Sequence, residues 1–308
     1  MQNAIFSTLG RTLAFVHACA LTYSFTIALA AAQDFSKIEI KTEKLSDTLY
    51  MLIGAGGNIG VSVGADSVFV IDDQFAPMTP KIEAAIKKLT AKPVQFVLNT
   101  HWHFDHTGGN ENFGKAGAII MAHDNVRKRM SSEQFITFLR AKSPASPALA
   151  LPVITFAQEM TMHLNGEEIF AFHVPNAHTD GDTIVHFRKN NVIHMGDTFF
   201  NGFYPFIDTS SGGTPEGMIA TADKVLALSD DKTRIIPGHG PLSNKAELKV
   251  FRDMLATVSA RVKALVKEGK TLDEIVAAKP AAEFDERWGK GFIPAPRFLE
   301  MLVGGLKK

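Results

Sequence analysis

A chain of 308 residues, 45% hydrophobic and 21% charged, carries enough apolar mass for one large domain or two small ones. Its formal net charge is zero and no long basic or low-complexity tract follows residue 33, which excludes a nucleic-acid polyanion as the expected partner. Residues 1–32 stand apart. Arg11 is their only charged residue, an apolar stretch follows, and the segment ends Ala28-Leu29-Ala30-Ala31-Ala32. A basic start, an apolar core and small terminal residues read as a secretory signal peptide, with a periplasmic or secreted destination. An uncleaved membrane anchor is the alternative, because the stretch reaches the lower length for spanning. His17, Thr22, Ser24 and Thr26 interrupt it and favour cleavage, after which no stable membrane association is expected. Cys19 follows Val16-His17-Ala18, a poor lipoprotein box. It is also the chain's single cysteine. Residues 33–308 are expected to form one domain, ending in a helical segment, that has no disulfide and no thiolate ligand.

In the mature chain, residues 37–41 alternate like a strand, and further strands are expected at 49–53, 61–63 and 68–71, around the glycine-rich turn at 54–60. Thr79-Pro80 opens a helix that places Ile82, Ile86 and Leu89 on one face. A buried strand over 94–99 follows, then another over 118–122. Residues 125–141 read as a helix broken by Ser143-Pro144. Residues 153–174 read as two or three strands turning at Asn165-Gly166, and 183–187 with 192–194 as a hairpin. Thr214-Pro215 starts a helix to about Leu228, and 234–236 is a strand. Residues 244–268 make the strongest helix, with an Asn244/Glu247 capping box and Gly269 as its stop. Twice, then, a strand ends at an Asp (Asp72, Asp197), a Thr-Pro helix follows, and a strand leads to His (His101, His239). This order implies two similar halves, each a sheet covered by helices.

The stretch that carries chemistry is His101-Trp102-His103-Phe104-Asp105-His106-Thr107-Gly108-Gly109, directly after the 94–99 strand. Imidazoles and a carboxylate together suit zinc and similar divalent ions. A straight strand would send alternate side chains to opposite faces, so a loop at a strand end is needed to gather them. Downstream, His178, Asp197 and His239 each sit in a Gly- or Asn-containing loop just beyond a strand, where a side chain can turn toward a shared site. His123, His163, His173, His186 and His194 lie in or beside apolar strands and are expected to be structural, with one available to orient a ligand. Asp180 and Asp182 read as turn formers or as similar support.

His101-x-His103-x-Asp105-His106 followed by Gly108-Gly109 resembles the signature of the metallo-β-lactamase superfamily. That resemblance implies an α/β fold, a four-layer αβ/βα sandwich with the metal site at one edge of the sheets. It implies one metal on His101, His103 and His178, a second on Asp105, His106 and His239, and Asp197 bridging both. It also implies a metal-dependent hydrolase with two Zn²⁺, in which a bridging hydroxide attacks a carbonyl and Asp105 orients it and shuttles its proton. No G-x-S-x-G elbow offers a rival nucleophile.

A small-molecule substrate is expected, and its class stays open at this stage. Expected export puts β-lactam ring opening first. The resemblance also carries a counter-argument, since those lactamases usually place Cys or Ser where Asp197 stands and often a Lys where this chain has Phe200. Lactone hydrolysis fits the bridging Asp but would have Tyr at position 200, with Tyr204 close by. A glyoxalase-like thioesterase shares the Asp but is usually cytosolic. A non-catalytic metal- or solute-binding protein is the reading of another class. Phe200, Asn201 and Tyr204, within the 201–206 stretch and its approach, are the candidate substrate contacts.

Overall fold

The computed structural model describes residues 34–306, so the expected signal peptide lies outside the described residues. From Phe35 onward the described residues form one compact unit. Its first sheet runs β1 (Lys41–Lys44), β2 (Leu49–Ile53), β3 (Ile59–Val63), β4 (Val68–Ile71), β5 (Val94–Leu98) and β6 (Ile119–His123). A hairpin, β7 (Gln134–Ile136) with β8 (Ala141–Ser143), then intervenes before β9 (Ile154–Phe156) completes the sheet beside β6. The second sheet is β10 (Glu159–Leu164), β11 (Glu167–His173), β12 (Thr183–Phe187), β13 (Val192–His194), β14 (Arg234–Ile236) and β15 (Ser243–Asn244). The helices are α1 (Thr79–Lys87), α2 (Phe104–Thr107), α3 (Asn110–Lys115), α4 (Asp124–Met130), α5 (Pro215–Leu228), α6 (Lys245–Lys267), α7 (Leu272–Ala278), α8 (Asp285–Trp288) and α9 (Ala295–Leu306).

The two sheets face each other through Met51, Phe69, Ile71 and Leu98 on one side and Ile169, Ala171, Val185 and Ile236 on the other. Val68, Val70 and Val97 point the opposite way, onto Ile82 and Ile86 of α1 and Phe113 of α3. Strand β4 is therefore buried on both faces, which is why it reads as an unbroken apolar run. Behind the second sheet, Phe172, Ile184 and Ile235 meet α5, α6 and α9. The result is the expected αβ/βα sandwich.

The repeated strand–helix–strand order is also present. Strand β4 pairs in parallel with β5 across α1, and β13 in parallel with β14 across α5. Parallel strands leave their carboxyl ends on the same edge, so Asp72 and His101 emerge together, as do Asp197 and His239.

Three local expectations need correction. Residues 37–41 are not a strand: Phe35–Lys37 is a 3₁₀ turn, and β1 begins at Lys41. Lys81 Nζ takes the carbonyls of Phe35, Ser36 and Ile38 at 2.9, 2.7 and 2.6 Å, so these groups end on an ammonium instead of a ladder. The helix expected over 125–141 stops at Met130. Beyond it Gln134-Phe135-Ile136, aromatic and β-branched, pairs with β8 and buries Ile136. At Asn244 only half the capping box forms. Asn244 accepts from Glu247 N, but the Glu247 carboxylate turns to Ser243 Oγ (2.8 Å) and Asn201 Nδ2 (3.3 Å). The expected stop does hold, with Gly269 in the left-handed region (φ 80°) and Lys270 N bonded back to Leu265 O.

Candidate metal centre

The ligand loop leaves β5 and curls at once into α2, a single turn that throws Asp105 and His106 back toward the sheet edge. Two groups of side chains converge there. His101, His103, His178 and Asp197 form one, and Asp105, His106 and His239 the other; in each group the candidate ligand atoms lie within 4.8 Å of one another. All seven residues expected as ligands are thereby brought together. Asp197 faces both groups. Its Oδ2 lies 3.9 Å from His101 Nε2 and 3.7 Å from His178 Nε2, while Oδ1 lies 3.0 Å from His106 Nε2 and 3.3 Å from His239 Nε2.

The outward ring nitrogens of four of these histidines have partners that fix their protons. His103 Nε2 donates to Asp208 Oδ2 (3.0 Å), and His178 Nδ1 to the carbonyl of Phe206 (2.7 Å). His106 Nδ1 donates to Asp72 Oδ2 (2.8 Å), and Thr100 Oγ1 lies 3.1 Å from His101 Nδ1. With those protons placed, His103 Nδ1 and His178 Nε2 face each other at 2.9 Å as two lone pairs. That contact is repulsive unless a cation shares it. His101 Nε2 and Asp197 Oδ1 are buried and without an aligned hydrogen-bond partner. Orphaned buried acceptors and opposed lone pairs fit divalent ions, and a purely imidazole and carboxylate donor set suits zinc or a similar borderline ion.

The electrostatics separate the two groups. Burial keeps His178 low, at about 4, and His101 well below the usual imidazole range, so both are neutral and ready to donate a lone pair. Burial also acts on His239, but Asp197 and Asp105 outweigh it and raise His239 to about 9. Burial alone would lift the Asp105 carboxyl; His106 and His239 instead hold it at about 2.

Backbone geometry sets the spacing. A Cβ on Gly57 would sit 2.1 Å from the His106 ring, and one on Gly238 would sit 2.0 Å from Asp197 Oδ1, so only glycine admits the loops this close. Asn58 joins the halves, donating from Nδ2 to the carbonyls of Pro237 and Gly240, both at 2.9 Å.

The expected substrate contacts divide. Phe200 stacks on His239, with ring centroids 5.3 Å apart and planes 14° apart, and so does border the site. Asn201 is buried and bonds the Pro241 carbonyl and Glu247, so it braces the His239 loop and does not face a ligand. Tyr204 is a correction. It is fully buried, stacks on Phe298 of α9, and donates to Asp285 at 2.8 Å, because the loop needed a buried aromatic there and its hydroxyl found a carboxylate. Asp180 forms a two-point pair with Arg129, and Asp182 holds Thr179 N and Oγ1 at 2.7 and 2.6 Å, fixing the turn after His178. His123 and His173 stack 3.7 Å apart, away from the seven ligands, and His194 donates toward Asn58 O at 3.0 Å.

Asp72, Asp208 and Thr100 escaped the sequence reading. Asp72 was legible as a strand end but not as the anchor of His106. Its left-handed backbone (φ 61°) lets one carboxylate reach Thr100 N, Thr100 Oγ1 and His106. Asp208 reaches His103 from 105 residues away.

A family model described as the metallo-beta-lactamase superfamily matches residues 53–239, more than half of the chain. The chain belongs to that superfamily. Among curated relatives, it is 22% identical to the 2,4-dinitroanisole O-demethylase subunit alpha of a Nocardioides strain, over 70% of this chain and 62% of that one. It is 28% identical to the hydroxyacylglutathione hydrolase of Nitrosococcus oceani, over 51% of this chain and 52% of that one. The matches thus span only about half to three fifths of those relatives. Among solved structures, a metallo-beta-lactamase from Pontibacter korlensis is similar in fold, with a TM-score of 0.60, 16% identity, and coverage of 71% of this chain and 99% of that one. As a superfamily member with a site for two ions, the chain is in line with the expectation of a metal-dependent hydrolase.

Proposed function

We propose that this protein is a dinuclear metal-dependent hydrolase of ester-like carbonyl compounds: lactones, esters or thioesters. The observation that carries the reading is the Asp197 carboxylate, with one oxygen toward each ligand group. His101, His103 and His178 would hold one ion, Asp105, His106 and His239 the other, and Asp197 both. We take the ions to be zinc; bound there, they acidify water and polarise a carbonyl oxygen.

The chain's own residues do the rest. Asp105 is part-exposed at the mouth of the site and ionised, so it can orient the attacking water and accept its proton. The water oxygen bonds to the acyl carbon, the bond to the leaving oxygen or sulfur breaks, and Asp105 returns the proton to that leaving atom. Asp208, Asp72 and Phe206 keep the imidazoles in one tautomer throughout.

We place β-lactam ring opening second, on the strength of the expected export alone. The bridging Asp stands where such enzymes resemble one another in having Cys or Ser. Beside it an apolar ring, Phe200 against His239, takes the place of a cation that would hold a substrate carboxylate. The hydroxyacylglutathione hydrolase relative supports a thioester or ester more directly. We also propose export with cleavage between residues 30 and 33, which N-terminal sequencing of the exported protein would contradict if it began at Met1. Among the described residues, no helix is long and apolar enough to cross a membrane.

A kinetic screen of the zinc-loaded protein across lactone, ester, thioester and β-lactam panels tests the reading. Turnover of at least one ester-like class is expected, exceeding that of β-lactams. A protein that holds two ions and turns over nothing would instead favour a non-catalytic metal- or solute-binding role.

A further inference from the structure

A run of aromatic rings leads from the ligands to solvent. Phe206 stacks on His103 (centroids 5.5 Å apart, planes 22° apart) and meets His178 edge-on at 5.4 Å. Phe138, in the turn of the β7–β8 hairpin, lies 5.0 Å from Phe206, and Phe292 lies 6.1 Å beyond Phe138. Three separate segments therefore contribute one ring each to a contiguous aromatic series that begins with Phe206, buried against the three-His group, passes through the half-buried Phe138 and reaches the surface at Phe292. Its outer end is open: Phe292 is 69% exposed, next to the buried Ile293. A side chain of that size left in water at the end of an ordered ring series, beside a reactive centre, calls for an occupant.

The charge of the surface selects among occupants. Arg297 sits 4.2 Å over the Phe138 ring, donates to the Phe138 carbonyl at 2.6 Å and pairs with Glu300 at 2.5 Å. The guanidinium thus fixes the hairpin turn against α9, with its charge balanced by Glu300. What the rings offer is neutral, polarisable and apolar. We propose that Phe206, Phe138 and Phe292 form the subsite for an apolar acyl or alkyl chain whose carbonyl lies at the metal centre. The run measures at most about 11 Å from Phe206 to Phe292. At roughly 1.2 Å per bond of an extended chain it seats on the order of eight carbons. An anionic glutathione- or nucleotide-like group would have to displace Glu300 from Arg297, the cation that lies on these rings.

The inference rests on the hydrolase reading for its choice of substrate, so it is tested by turnover and by binding. The turnover probe is a series of p-nitrophenyl esters from acetate to dodecanoate. The binding probe is calorimetry of the metal-loaded protein with alkyl hydroxamates of the same chain lengths. We expect kcat/KM and hydroxamate affinity to rise about two- to fourfold per methylene and to level off near eight carbons. Phe292→Ala and Phe138→Ala should each lower the long-to-short ratio by about fivefold or more. Val250→Ala, which removes an exposed apolar side chain on α6, should leave that ratio alone. Chain-length-dependent hydroxamate binding without ester turnover would keep the subsite and discard the hydrolase reading. Turnover with a flat chain-length profile, or a slope that survives both Phe variants, would discard the subsite and keep the hydrolase. A protein that neither cleaves the esters nor binds the longer hydroxamates more tightly overturns both.

Discussion

The Asp208 carboxylate accepts a hydrogen bond from His103 Nε2 at 3.0 Å, and two residues earlier the Phe206 carbonyl accepts one from His178 Nδ1 at 2.7 Å. A single tripeptide thereby sets the tautomers of two of the three histidines that define one half of the centre. Asp208 is itself fixed by Ser211 N (3.1 Å) and by the hydroxyls of Ser210 and Ser211, and its own N–H donates to the His178 carbonyl at 3.0 Å. His103 and the serines outweigh burial and hold its carboxyl well below the usual range.

Asp208→Asn should therefore weaken metal binding in the three-His half by about 10- to 100-fold while the fold persists, because outer partners contribute on that scale. Competition against a chelator, with circular dichroism as the control, measures it. Affinity unchanged within about twofold would show that the carboxylate does not orient His103.

Asp105 and Asp182 offer a contrast between two carboxylates in ligand-bearing loops. The first is part-exposed beside His239, and the second is buried and tied to Thr179. Asp105→Asn should cost roughly a hundred-fold or more in turnover, about 3 kcal/mol of barrier, as a misplaced nucleophile does. Asp182→Asn should cost less and act through the His178 turn. If Asp182→Asn is the more damaging while Asp105→Asn keeps both metals and a near-normal rate, the roles assigned here are wrong.

Metal uptake should depend on pH unequally in the two halves. His239, raised to about 9, carries a proton at pH 7 that an incoming ion must displace. Affinity for the Asp105/His106/His239 half should consequently fall as pH drops below about 9, by up to tenfold per unit for each proton released. His178 and His101, held low by burial, have no such proton at neutral pH, so their share of metal binding should release few protons between about pH 7 and 9. Calorimetry in buffers of different ionisation enthalpy counts the protons. Equal release from both halves would contradict the assignment.

The seven convergent side chains were legible in the sequence because each lies in a loop after a strand with a distinctive local pattern; the parallel β4–β5 and β13–β14 pairs and the β11–β12 turn then bring them to one edge. Their supports were not legible. Asp208 looks like any helix-capping Asp until the chain folds it across 105 residues to His103. The hairpin bearing Phe138 was hidden inside a helical-looking tract, since only two strand-favouring residues, Phe135 and Ile136, mark it and the burial of Ile136 shows only in the fold. Tyr204 was misplaced for the same reason. Its hydroxyl looked available to a substrate, but its partner is Asp285, 81 residues on.

The most direct test of the account is the metal content of the dialysed protein and of its Asp197→Ala variant, measured by elemental analysis. Seven convergent side chains in two groups, with Asp197 shared, predict about two equivalents in the parent and a clear loss in the variant. No metal at all, or one tight ion that Asp197→Ala leaves untouched, would contradict the dinuclear centre on which the proposed chemistry depends.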